Sequence, residues 1–153
     1  MNKTNRIIGG LFGVFWGWTS VSCASMSADL PQTKMYAGIP YLSGGVGVDE
    51  RAALQRQSKE DNVHLIFAAV DGVYLSDVNV TITDSKGQEV LKAVSEGPWF
   101  FTKLPMGKYI VTADMKGRAL HRTVQAPKTG QTQVLFSWDD SILRTSVHPL
   151  AKR

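Results

Sequence analysis

From Val63 to Trp138 apolar residues recur at every second position, and a turn signal interrupts them about every ten residues. A period of two sends successive side chains to opposite faces of an extended strand, so each segment has one apolar face to bury. The segments expected to be strands are Val63–Ala69, Val78–Thr83, Glu89–Val94, Trp99–Phe101, Lys108–Met115, Arg118–Ala126 and Gln131–Trp138. Their breaks carry turn chemistry: Asp71-Gly72, Ser85-Lys86-Gly87, Glu96-Gly97-Pro98, Leu104-Pro105-Met106-Gly107 and Lys116-Gly117. No long helical pattern separates them, which argues against βαβ units and a parallel sheet. The fold class expected is all-β, a seven-stranded antiparallel β-sandwich over 63–138, with Val80, Tyr109, Val111 and Phe136 among its core.

The segments before and after this array read differently. In 1–24, Lys3 and Arg6 precede an uncharged apolar stretch, Ile7–Trp18, and then Ser22-Cys23-Ala24, the pattern of a secretory signal peptide. The expected cut follows Ala24, with Ala28 as a second site. The apolar stretch is shorter than the roughly 20 residues of a spanning helix. Cys23 is the only cysteine, and Ser20 stands where a lipobox needs an aliphatic residue, so lipidation of Cys23 ranks behind free export. A cut after Ala24 leaves no thiol for a disulfide or for a cysteine metal site. By removing Lys3 and Arg6 it also lowers the net charge from +4 to +2, which gives no argument for nucleic acid or for an anionic membrane. Residues 25–47, rich in Gly and Pro, read as an irregular leader arm packed by Met35, Tyr36, Ile39, Tyr41 and Leu42. Residues 48–62 read as a short surface helix capped by Asp49, anchored by Leu54 and ended at Asn62. Residues 139–153 lose the alternation and read as a loosely ordered tail.

Within this frame, Val78-Asn79-Val80-Thr81-Ile82, Asp84-Ser85-Lys86-Gly87 and Leu104-Pro105-Met106-Gly107-Lys108-Tyr109-Ile110-Val111-Thr112-Ala113 carry a resemblance. The chain resembles the carboxypeptidase regulatory-like family, whose fold is a transthyretin-like (prealbumin-like) sandwich, over about Val63–Trp138. The resemblance implies a non-catalytic module of an exported bacterial protein. Gly44-Gly45-Val46-Gly47 and Gly97-Pro98-Trp99 also resemble segments of short bacterial envelope proteins of this family. Relatives with chemistry match poorly. Val63–Val70 lacks the Lys, and Gln131–Trp138 the Asn, of an internal isopeptide bond. The chain ends Leu150-Ala151-Lys152-Arg153 rather than in the Tyr-Arg-Gly-Ser of hydroxyisourate hydrolases, and it has no His-x-x-Glu of zinc carboxypeptidases.

The residues themselves offer little chemistry. His64, His121 and His148 are never two or four apart, so neither a strand nor a helix presents them as a metal pair. His64 and His121 are expected on solvent-facing strand positions. Ser76-Asp77 and Ser137-Trp138-Asp139 lack a nucleophile elbow and a neighbouring base. Asp139-Asp140 reads as a solvated turn, without the spacing of a calcium loop. Gly44-Gly45-Val46-Gly47 lacks the Lys of a phosphate loop and reads as a flexible hinge. No catalytic residue, metal or cofactor is assigned. The binding candidates are Trp99 and Phe100, since neighbours on a strand face opposite ways and one of the two is left partly exposed. Such a ring stacks on a sugar or on a partner's side chain. The competing use of Trp99 is to cover an open end of the sandwich against the leader arm. The partner expected is an envelope protein or a glycan in the periplasm or outside the cell. Membrane contact is expected only if Cys23 is lipidated or the leader is uncut.

Overall fold

The computed structural model describes residues 30–139 and 141–144. Two strands form within the expected irregular arm: β1 (Lys34–Tyr36) and β2 (Ile39–Gly44). Ala37 and Gly38, with φ of 46° and 83°, join them as a two-residue turn whose twist suits antiparallel strands. Tyr36, Ile39 and Tyr41 pack against the core, whereas Met35 stays exposed. Next comes α1 (Val48–Gln57), extended by a 3-10 turn over Ser58–Glu60. Glu50, not Asp49, serves its N-terminus, because the Glu50 carboxylate accepts from the backbone N–H groups of Val46 and Gly47 at 3.0 and 3.4 Å. Leu54 is fully buried, as expected of the anchor.

The seven expected strands all form, as β3 (Val63–Ala69), β4 (Asn79–Asp84), β5 (Glu89–Val94), β6 (Trp99–Thr102), β7 (Gly107–Met115), β8 (Arg118–Ala126) and β9 (Thr132–Trp138). The sandwich therefore has nine strands rather than seven. One sheet runs β1-β2-β6-β3-β9 and the other β5-β4-β7-β8. The β3–β9 pair is parallel, from Val63 opposite Thr132 to Ala69 opposite Trp138, which corrects the expectation of a purely antiparallel fold. A parallel pair needs a long crossover, and here the intervening strands supply it.

The core lies between the two sheets. Val63, Leu65 and Phe67 of β3 and Phe136 of β9 meet Val80, Ile82, Tyr109, Val111 and Val124 of the opposite layer. The Tyr109 hydroxyl donates to the Pro105 carbonyl at 2.9 Å, which pins the Pro-x-Gly turn to the start of β7. At the other hairpin Lys116 and Gly117 both take positive φ. Beyond β9, α2 (Ser141–Arg144) follows, and Ile142 is buried in the core, so order continues past the expected start of the tail.

A second apolar cluster sits outside the sandwich. Leu42, Leu54 and Phe101 are buried together, with Trp99 packed against them, where α1 lies on the outer face of the five-stranded sheet. Strand β3 is consequently covered on both faces over most of its length.

Candidate functional site

The ladder registers set the outer face of the five-stranded sheet. One row runs Leu42, Phe101, His64, Gln133 across β2, β6, β3 and β9, and the next runs Gly44, Trp99, Ile66, Leu135. Helix α1 covers the β2–β6 side of these rows. On the β3–β9 side an open cleft of about 370 Å³ remains. Its floor is His64, Ile66, Trp99 and Phe101. Gln55 of α1, Ser58 and Lys59 of the 3-10 turn, and Gln131 and Gln133 surround it.

His64 does point away from the core, as its strand parity requires, but it is not solvent-facing. Only 6% of it is exposed, because α1 and its neighbours overlie the face that the alternation assigns to water. The imidazole stacks on Phe101, with centroids 3.9 Å apart, and stands nearly perpendicular to the Trp99 ring, with centroids 5.2 Å apart. Burial pushes its pKa down to about 4, so the ring is neutral at physiological pH. His64 Nε2 and Trp99 Nε1 are both buried, and neither has a hydrogen-bond partner among the described residues. Buried polar atoms are nearly always paired, so two orphans on side chains that line one cleft mark it out. Trp138 provides the contrast within the same chain, since its indole N–H donates to the Arg118 carbonyl at 2.8 Å.

Tight backbone packing holds Trp99 in place. Gly44-Gly45-Val46-Gly47 is a packed turn rather than a hinge. A Cβ on Gly45 would come within 3.3 Å of Trp99 and 3.2 Å of Arg51, and a Cβ on Gly97 would come within 2.3 Å of the Gly44 carbonyl oxygen. Gly44 and Gly45 take φ of 155° and 92°. Arg51 donates to the Gly45 carbonyl at 2.8 Å while its guanidinium lies 6.0 Å from the Trp99 ring centre and 5.7 Å from that of Tyr74. The leader arm and α1 thus clamp one side of Trp99, and the His64 ring stands across it at 75°.

Of the two aromatic candidates, only Trp99 reaches the cleft. Phe100 is fully buried between the sheets and stacks on Tyr41 at 5.3 Å, which removes it as a contact residue. Cys23, His148 and Asp140 lie outside the described residues. His121 is exposed and shares a 2.9 Å hydrogen bond with Thr112 on the outer face of the other sheet. Ser76 donates to the adjacent Asp77 carboxylate in an exposed turn. Among the described residues no three of His, Cys, Asp and Glu are grouped to hold a metal ion, and no helix is long and apolar enough to cross a membrane. The sequence pattern marks none of His64, Gln55, Gln131 and Gln133 as a binding residue. Parity alone aligns His64 with Trp99, but nothing in the pattern says that α1 sits beside them. No family model matches this chain, and no curated protein is similar to it.

Proposed function

We propose that this chain is a non-catalytic β-sandwich module of the carboxypeptidase regulatory-like type, exported to the bacterial envelope, which acts by binding a partner molecule in the cleft beside α1. The observation that carries the reading is the pair of buried ring nitrogens, His64 Nε2 and Trp99 Nε1, which have no partners among the described residues and belong to two side chains that line this cleft. An orphaned buried donor costs about 1–3 kcal/mol, and a ligand that supplies its partner recovers much of that. The signal-like segment 1–24 and the motif from Leu104 to Ala113 support the address and the family.

The partner is an envelope protein or a glycan, and an aromatic ring among amide side chains favours the glycan. Binding places no demand on a nucleophile or a metal. Mass spectrometry of the N-terminus after periplasmic extraction tests the address: a chain starting at residue 25 is expected, and a lipid on Cys23 would redirect the module to a membrane surface. Retention on envelope extract tests the site. Trp99→Ala is expected to lose retention at least about tenfold while the protein stays folded. Unchanged retention would move binding away from the cleft.

A further inference from the structure

The lining of the cleft beside α1 restricts the chemistry of a ligand held there. We infer that the cleft takes one uncharged ring of a glycan chain, an amino sugar carrying an acetamido group, with Trp99 and His64 beneath it and Gln55, Gln131 and Gln133 around its mouth. This ligand class rests on the cleft being the site of partner binding. Three features select it.

The first is charge. Among the described residues no carboxylate lines the cleft, and the one cation there, Lys59, is exposed at its rim. A strongly charged ligand would find little to neutralise it, and burying a charge without a partner is costly.

The second is hydrogen-bonding pattern. Trp99 Nε1 only donates, while a neutral imidazole donates from one nitrogen and accepts at the other. Sugar hydroxyls do both and can satisfy either of these buried atoms once the side chains over it shift. Gln55 and Gln133 each add a carbonyl acceptor and an amide donor, the complement of an acetamido group. Gln131 already donates to the backbone carbonyls of Asp61 and Ser58 at 3.1 and 3.5 Å, which fixes its amide near the mouth and leaves its carbonyl oxygen for a ligand. Gln133 is exposed and neighbours His64 across the β3–β9 ladder. As an exposed side chain it can move without disturbing the core.

The third is shape. The half-buried Trp99 ring gives the floor an apolar, quadrupolar surface suited to the C–H face of a pyranose, while Phe101 lies buried beneath the His64 imidazole. A cleft of about 370 Å³ lies at the small end of ligand sites, which suits one or two rings rather than a long peptide.

The experiment is a titration of the purified chain with chitotetraose, followed through the indole N–H signals in heteronuclear NMR. The Trp99 signal is expected to shift saturably at up to ~10 mM ligand, the regime of single-ring contacts. The Trp138 signal, already bonded to Arg118, is expected to stay still. Gln133→Ala, an exposed position, and His64→Phe, which keeps a ring against Phe101 but deletes both nitrogens, are each expected to weaken binding about tenfold. Cellotetraose, with hydroxyls in place of acetamido groups, is expected to bind about tenfold more weakly. Equal binding of the two sugars would overturn the assignment of the glutamines to an acetamido group. A silent Trp99 with both sugars, but a shift with envelope extract, would overturn the ligand class while leaving the cleft as the binding site. Silence with all three would overturn both.

Discussion

The side chain of Asn62 ties three separate backbone segments together. Its amide donates to the carbonyls of Leu104 and Pro127 at 2.8 and 3.0 Å, and its Oδ1 accepts from the Leu104 N–H at 2.9 Å. The residue is only 8% exposed. Replacing it by Ala would strand a buried N–H and two carbonyls, so Asn62→Ala is expected to cost about 3 kcal/mol, read as a fall in urea midpoint with unchanged slope. Read from sequence, Asn62 is a helix stop. Its larger role was illegible, because its partners lie 42 and 65 residues away and no local pattern points to them. The neighbouring Asp61 makes a different prediction. Burial is the main cause that pushes its pKa up to about 6, with Glu60 adding to the rise and Lys103 opposing it. The folded state therefore holds the proton more tightly than the unfolded state. The stability this contributes is complete below about pH 4 and is lost as pH rises through about 6. Asp61→Asn is expected to stabilise the protein by about 1 kcal/mol at pH 7.5, after discounting for a half-exposed site, and to change little at pH 4. Thermal melts at the two pH values check it.

Strand β6 shows how much one element decides. Its alternation sends Phe100 into the core and Trp99 and Phe101 outward, and that much was legible from the two-residue period. Which of Trp99 and Phe100 stays accessible was not, because the answer depends on α1, whose sequence holds no broad apolar stripe. The position of β6 depends in turn on the close approach of Gly97 to the backbone of Gly44. That contact is backbone against a new Cβ, so no flexible side chain can yield. Gly97→Ala is expected to cost more than about 2 kcal/mol and to shift the Trp99 indole environment, seen as a change in near-ultraviolet circular dichroism. Full stability in this variant would mean that the two turns do not touch. The β1–β2 hairpin was hidden for a local reason. Its turn is Ala37-Gly38, and Ala with a φ of 46° lacks the Asn or Asp that normally announces such a turn.

For the molecule as a whole, the two apolar layers could be read from the chain, since each core strand presents its buried residues at alternate positions. The parallel β3–β9 pair could not. Pairing between the first and last segments of the array leaves no signature in either, and only the closed sheet reveals it. The cleft follows from that closure. Strand β9 brings Gln133 beside His64, α1 roofs the neighbouring strands, and a face that alternation alone assigns to water becomes a partly enclosed surface. His64 reports on this arrangement directly. Its depressed pKa means that the folded state resists protonation, so the stability tied to its neutral form is present above pH 6.5 and lost as pH falls through about 4. The decisive measurement is an NMR pH titration of the His64 imidazole in the folded protein. A midpoint near 4 is predicted. A midpoint near 6.5 would put the ring in water, remove the roofed cleft, and contradict the account.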